Sequence, residues 1–230
     1  MTYHVPTGCP LTGPLRERVQ RFAAAGAPPV TPRLAATVPL LRPAEDGFQV
    51  FLLRRAAGLA FAAGVYAFPG GTVDPADRDG EPVAVPAALR LPPAEAAALL
   101  RAAVREVAEE AGVRLAPADL VPWARWITPD FEPRRYDTYF FLSLLPPGQR
   151  ATVASGESDR GGWWRPAEAL ARADAGELSL LPPTMVVLAE LAGHASMRDV
   201  LAAAADRDLA RPVRSWVATA DDGTPYLRWG

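Results

Sequence analysis

The densest group of ionisable side chains with a regular spacing lies in the segment REVAEEAGV, which begins at Arg105. Glu106, Glu109 and Glu110 are spaced i, i+3 and i+4, so on a helix their carboxylates project from one face within one turn. Three carboxylates this close repel one another, and a single arginine cannot neutralise them. Oxygen-only ligands of this kind suit Mg²⁺ or Mn²⁺ better than zinc. The spacing therefore predicts a site for a divalent cation.

A solvated acidic helix end is the simpler interpretation of this segment. Glu and Arg are good helix formers, and Gly112 would end such a helix. However, one arginine, three glutamates and one glycine stand at fixed positions within eight residues, which chance produces on the order of once in ten thousand chains of this length. The complete pattern favours the metal site.

A helix must position these carboxylates. No Pro or Gly interrupts the segment 94–111, and Leu100, Val104 and Val107 recur at helical spacing, so we predict a helix from Ala94 to Ala111. The other predicted elements are a helical segment at 15–25, a hairpin of strands 35–41 and 48–55 joined by the five-residue loop PAEDG, strands within 123–130, 134–145 and 161–164, helices beginning at Pro166 and near Pro183, and a C-terminal hairpin turned at Asp222 and Gly223.

Strands and helices do not follow one another in a regular βαβ order, which predicts an α+β fold with a mixed sheet flanked by helices. We divide the chain into an N-terminal arm (1–32), a main domain (33–205) and a C-terminal hairpin packed on that domain (206–230). The segment 74–93 is rich in Pro, Asp and Gly and is predicted to be a long loop, either functional or inserted.

Composition excludes several classes of function. The formal net charge of −2 and the isoelectric point near 5.8 provide no broad basic surface, so we expect no binding to duplex nucleic acid. The chain has a single cysteine, Cys9, and it has neither a long apolar run nor a secretion signal. We therefore predict a cytoplasmic protein without a membrane partner. All 24 basic residues are arginine, which excludes a lysine Schiff base or a P-loop.

The segment REVAEEAGV resembles the second half of the Nudix box, G-x5-E-x7-R-E-U-x-E-E-x-G-U, where U is aliphatic, and FPGG at 68–71 resembles its beginning. The resemblance implies a Nudix hydrolase: an α/β/α sandwich that cleaves a nucleoside diphosphate linked to another moiety. It implies that Glu106, Glu109 and Glu110 bind Mg²⁺, that the Gly70 carbonyl faces the metal, and that Arg105 orients the glutamates.

The box departs from the family pattern between its two halves. Arg105 follows Gly71 by 34 positions where the family pattern has 14, so about 20 residues are inserted, and the first box Glu would fall on Ala97. An insertion after FPGG-x-x-D resembles a subgroup related to the peroxisomal coenzyme A diphosphatases, and this resemblance covers roughly residues 33–195. The coenzyme A signature has an arginine where this chain has Ala60.

The substrate therefore stays open at this point. The first hypothesis is a diphosphatase acting on coenzyme A or an acyl-coenzyme A. The second is the same chemistry on ADP-ribose, NADH or a nucleotide sugar. The third is a catalytically silent Nudix-fold domain that senses a nucleotide. The resemblance is also compatible with a homodimer.

Several side chains are candidates for the remaining roles. Glu110 is the first candidate for the general base, and Glu157 in the loop ASGESDRGG is the second, with a solvated turn residue as its alternative. Arg134 and Arg135 could clamp a diphosphate, although pairing with nearby acids is the alternative. Trp126 could stack on a base, although a buried core position is more common for tryptophan.

Overall fold

The computed structural model describes residues 6–58, 62–220 and 223–230. The strands are β1 (Gly8–Pro10), β2 (Arg33–Thr37), β3 (Leu40–Ala44), β4 (Gly47–Arg55), β5 (Val65–Ala67), β6 (Gly70–Thr72), β7 (Val121–Ile127), β8 (Tyr136–Leu144), β9 (Ser158–Trp164), β10 (Ser179–Leu180), β11 (Ser215–Thr219) and β12 (Pro225–Trp229). The α-helices are α1 (Gly13–Ala25), α2 (Pro93–Ala111), α3 (Pro166–Asp174), α4 (Pro182–Ala192) and α5 (Met197–Ala204).

The central sheet is mixed, as the sequence predicts. Its strand order is β10-β5-β4-β3-β8-β2-β6, with β7 also paired to β8 and β9 also paired to β4. Both β2 and β3 run parallel to β8, whereas β7 and β6 run antiparallel to their neighbours. Strand β6 ends this order, so it is an edge strand beside which another element can approach.

Helices cover both faces of the sheet, and the alternation along β8 shows how. Tyr139 and Phe141 belong to the core that contains the apolar face of α2. Phe140 and Leu142 point the other way, into the core that contains α3 and α4. Burying a large apolar side chain stabilises a fold by about 1.5–3 kcal/mol, so both faces of β8 contribute. The α/β/α sandwich is confirmed.

The first hairpin differs from its prediction in two ways. The predicted strand 35–41 is divided into β2 and β3 around Pro39, which has no N–H to donate to a ladder. The predicted five-residue loop is only a two-residue turn, because Pro43 and Ala44 are already paired with Phe48 and Gly47. The backbone of Gly47 has φ 99°, which glycine adopts more readily than any other residue.

The helix predictions are confirmed to within one or two residues. Helix α2 ends at Gly112, whose φ of 67° gives a left-handed cap. Helix α5 was not predicted, although Ser196 caps it by accepting a hydrogen bond from the Asp199 N–H at 3.2 Å. The inserted segment contains two short 3-10 turns, Pro75–Arg78 and Ala87–Leu89.

The two ends of the chain form a second, three-stranded sheet with the order β1-β12-β11. The C-terminal hairpin is formed by antiparallel β11 and β12, and Asp222 at its predicted turn lies outside the described residues. Strand β1 extends this hairpin, with Cys9 opposite Leu227. Among the described residues, no helix is both long enough and apolar enough to cross a membrane.

Candidate functional site

The C-terminal turns of α2 lie against the edge strand β6. The backbone N–H of Gly70 donates a hydrogen bond to Glu110 Oε2 at 2.9 Å. A Cβ atom at Gly71 would lie 2.2 Å from Glu106 Oε1, which is closer than real atoms approach. The absence of a side chain at Gly71 therefore leaves the space that Glu106 occupies beside the sheet edge.

Arg105 connects these glutamates to the inserted segment. Its Nη1 donates to Glu106 Oε1 at 2.9 Å and to Glu109 Oε2 at 3.0 Å. Its Nε and Nη2 donate to the two carboxylate oxygens of Asp77 at 3.1 and 2.9 Å, and Nη2 also donates to the Thr72 carbonyl at 3.1 Å. This set of bonds fixes the plane of the guanidinium and, through it, the orientation of Glu106.

Asp77 is the buried partner of Arg105, and the sequence analysis did not identify it. Only 5% of its surface is exposed, and it also accepts the Asp74 N–H at 2.8 Å. Burial tends to raise the pKa of Asp77, but the hydrogen bonds from Arg105 and from the Asp74 N–H hold it below the usual value. The available signal was D-P-x-D, an acid three residues after a cap position, because the two aspartates form a capping box.

The carboxylates of Glu106 and Glu110 are poorly compensated where they lie. Burial, together with the charges of Glu106 and Glu157, raises the pKa of Glu110 to about 7, although the Gly70 N–H and Arg55 oppose this shift. Burial also raises the pKa of Glu106, although Arg105 opposes the shift. Two like charges in this mostly desolvated place are costly, and a cation between them would offset that cost.

The chemistry of these side chains fits a hard divalent cation. Glu106 and Glu110 supply carboxylate oxygens on one helical face, which is the ligand type that Mg²⁺ and Mn²⁺ prefer. Glu109 is 57% exposed and is held by Arg105. Within the described parts of the chain, no three acidic, histidine or cysteine side chains already form a closed metal cluster.

A cavity of about 720 Å³ opens beside the glutamates. Its lining includes Glu106, Glu110, Gly70, Glu157 and Trp126. The structure therefore brings the second base candidate and the predicted stacking residue to the same space as two box glutamates. Cavities of about 300–1,000 Å³ hold most small-molecule ligands, so a nucleotide fits this one by size.

The two predicted diphosphate clamps lie elsewhere. Neither Arg134 nor Arg135 is part of the cavity lining. Arg135 is buried and donates to the carbonyls of Thr128 and Val30 and to the Asp130 carboxylate, so it holds neighbouring loops together. Arg134 is exposed.

Two further positions from the sequence analysis complete this account. Ala60, at the position of the arginine in the coenzyme A signature, lies outside the described residues. Trp126 is almost completely buried and packs against Trp229, with ring centroids 6.3 Å apart. It is therefore a core residue that also contributes to the cavity wall.

The comparisons with known proteins agree with this fold and site. The profile of the NUDIX domain matches residues 31–182, which is more than half of the chain, so the chain belongs to the Nudix hydrolase family. A NUDIX hydrolase from Alicyclobacillus acidocaldarius is similar in structure, with a TM-score of 0.60, 29% identity, and coverage of 75% of this chain and 96% of that one.

Two more relatives are more distant. The NUDIX domain of Shewanella oneidensis NrtR, solved in complex with ADP ribose, has a TM-score of 0.50 and 16% identity, covers 81% of this chain and 97% of that one, and shares the fold. A Caenorhabditis elegans protein named as a nudix hydrolase is 25% identical over 179 residues. That match covers 62% of this chain but 55% of the relative, so this chain spans little more than half of that protein's length.

Proposed function

We propose that this protein hydrolyses the diphosphate linkage of a nucleoside diphosphate derivative with the help of Mg²⁺ or Mn²⁺. The observation that carries the proposal is the pair of carboxylates formed by the buried Glu110 and by Glu106, whose side chain is 15% exposed, at the wall of a cavity large enough for a nucleotide. Two such groups destabilise a fold unless something positively charged approaches them. A substrate diphosphate is negatively charged, as the carboxylates are, so a metal ion must lie between the two.

The residues that would hold the ion are Glu106, Glu109 and Glu110, with the Gly70 carbonyl. When bound, a divalent cation neutralises the phosphate oxygens and lowers the pKa of the attacking water. The protein's own contribution is orientation: Arg105 fixes Glu106, and the Gly70 N–H fixes Glu110. Preorganised charges of this kind act without rearrangement during the reaction.

A general base must accept the proton of the attacking water. Glu110 already accepts the Gly70 N–H through one oxygen, whereas Glu157 is an exposed residue on the same cavity wall. Glu157 is therefore the stronger candidate for the general base, and the main role of Glu110 is to bind the cation. If so, Glu157→Gln lowers kcat about a hundredfold while KM changes little. A rise in KM with kcat unchanged would instead assign Glu157 to substrate binding.

Coenzyme A and its acyl derivatives are the first substrates to test, because the insertion after FPGG resembles that subgroup. ADP-ribose, NADH and a nucleotide sugar complete the panel. Each is incubated with Mg²⁺ or with EDTA, using the wild type, Glu110→Gln, Glu109→Gln, and Glu168→Gln as a control on the exposed side of α3. Release of a nucleoside monophosphate is measured.

We expect Mg²⁺-dependent cleavage of at least one compound. Glu110→Gln reduces it about a hundredfold or more, because a buried electrostatic group at a reaction centre contributes that much. Glu109→Gln reduces it less because Glu109 is mostly exposed, and Glu168→Gln leaves it unchanged. Binding of nucleotides without turnover of any compound would contradict the proposal and favour a silent nucleotide sensor.

A further inference from the structure

The cavity is completed by the two ends of the chain, which lie outside the segment that matches the NUDIX domain. Strand β1 contributes Cys9, helix α1 contributes Leu15 and Arg18, and the second sheet contributes Ser215 and Leu227. We call these five residues the terminal wall.

Specific contacts hold the terminal wall in place. Arg18 Nε donates to Glu132 at 2.9 Å, which ties α1 to the loop after β7. The backbone of Val213 exchanges hydrogen bonds with β7, as donor to the Arg125 carbonyl at 2.7 Å and as acceptor from the Ile127 N–H at 3.0 Å. The terminal wall is thus attached to the loop after β7 through Arg18, and the segment that leads into β11 and Ser215 is attached to β7 itself.

The terminal wall and the glutamates lie at opposite sides of the cavity floor. In this part of the sheet the strand order is β6-β2-β8-β7. The carboxylates approach at β6, and the terminal wall is attached at β7, so about three strand spacings, or ~14 Å, separate them. A group bound at the terminal wall is therefore several bonds away from a diphosphate bound at the glutamates.

The lining beside the terminal wall is mostly apolar. Trp126 on β7 and Phe131 in the loop after β7 line the cavity there with Leu15 and Leu227, and the charged Arg18 and Glu132 pair with each other at 2.9 Å. Such a surface binds apolar groups by removing them from water. It offers few hydrogen-bond partners to a second sugar or a second phosphate.

We propose that the terminal wall is the specificity surface of the enzyme, and that the substrate is a nucleoside diphosphate whose other moiety ends in an apolar group. This inference rests on the proposed function, because the diphosphate is placed at the glutamates. It assigns a role to the arm and to the C-terminal hairpin that the domain alone does not supply.

Cys9 provides a test that needs no mutation. It is the single cysteine of the chain and lines the cavity, so its reaction with N-ethylmaleimide reports occupancy of the terminal wall. The full chain is alkylated in EDTA with octanoyl-coenzyme A or with ADP-ribose, each at a concentration that saturates the change in tryptophan fluorescence. Octanoyl-coenzyme A should slow alkylation several-fold, and ADP-ribose should not. Equal protection by both, no protection by either, or no saturable binding of octanoyl-coenzyme A overturns the proposal.

Two substitutions that each add a negative charge to α1 extend this test to turnover. Leu15→Asp places a charge in the terminal wall, whereas Gln20→Asp places the same charge on an exposed part of α1 away from the cavity. Leu15→Asp should raise KM for octanoyl-coenzyme A about tenfold and leave kcat/KM for ADP-ribose within about twofold. Gln20→Asp should change neither. An equal effect of Leu15→Asp on both compounds would contradict a specificity role.

The two proposals fail in different ways. Protection of Cys9 requires binding but no hydrolysis, so it is observable even in a protein that cleaves nothing. Conversely, Mg²⁺-dependent hydrolysis without selective protection supports the proposed function and overturns the role of the terminal wall. Helix α1 has no buried residue, so Leu15→Asp should fold, and circular dichroism verifies this.

Discussion

At the scale of single residues, the site depends on how charges are compensated. Arg105 makes five hydrogen bonds to Asp77, Glu106, Glu109 and the Thr72 carbonyl. The first box Glu is absent, and a buried acid from the inserted segment pairs with the arginine. The insertion thus contributes to the site and does not merely interrupt the box.

The contribution of Asp77 to stability should depend on pH. Because its pKa is lowered in the folded state, its stabilising effect is present above the unfolded pKa of about 3.9 and is lost as the pH falls through the folded-state pKa. Asp77→Asn should lower the free energy of unfolding by about 1–3 kcal/mol at pH 7, with a much smaller difference near pH 3. Urea titrations at both pH values measure this.

The matched control is Asp79→Asn, an exposed position in the same segment, which should change stability little at either pH. A loss that is equal at pH 7 and pH 3 would show that Asp77 acts through packing and not through its charge.

At the scale of elements, the contact between α2 and β6 joins the two halves of the box. A Cβ at Gly70 would lie 2.3 Å from the backbone oxygen of Ala36, whereas the three atoms nearest to a Cβ at Gly71 all belong to the side chain of Glu106. Backbone on a neighbouring strand cannot move aside, but a side chain can rotate. The two glycines are therefore needed for different reasons: Gly70 for the sheet and Gly71 for the site.

Alanine substitutions separate these two roles. Gly70→Ala should lower the free energy of unfolding by about 1–3 kcal/mol or more, because the strands must separate. Gly71→Ala should cost less stability but reduce turnover strongly, because it displaces Glu106. Gly58→Ala is the control, since no atom lies within 4 Å of the added Cβ. Thermal unfolding and steady-state kinetics give the readouts, and equal stability losses at positions 70 and 71 would contradict this division.

At the scale of the whole molecule, the chain ends behave as one unit with the domain. Leu11 is 3% exposed and belongs to the same core as Leu227 and Trp229. The Leu11 N–H also donates to the Pro225 carbonyl at 2.9 Å, and Trp229 Nε1 donates to the Pro6 carbonyl at 2.8 Å. The three-stranded form of the second sheet therefore needs both ends of the chain.

Leu11→Ala should destabilise β1, β11 and β12 together. The loss of a buried leucine costs about 2–5 kcal/mol, and the strands share one ladder. Hydrogen exchange should show faster exchange in all three strands while α2 keeps its protection. Val30→Ala, at a position that is 52% exposed, should change little. Faster exchange confined to β1 would show that the C-terminal hairpin is stable without the arm.

Local sequence determined four of the five helices, most strands and the acidic face of α2, because these follow from hydrophobic spacing, the positions of Pro and Gly, and i, i+4 geometry. The tertiary structure decided what lies far apart along the chain. It paired Asp77 with Arg105 and used Arg135 for internal bonds to Val30 and Asp130. It also brought Cys9 opposite Leu227. Such contacts depend on strand register and on which face a side chain occupies, and neither is encoded by neighbouring residues alone.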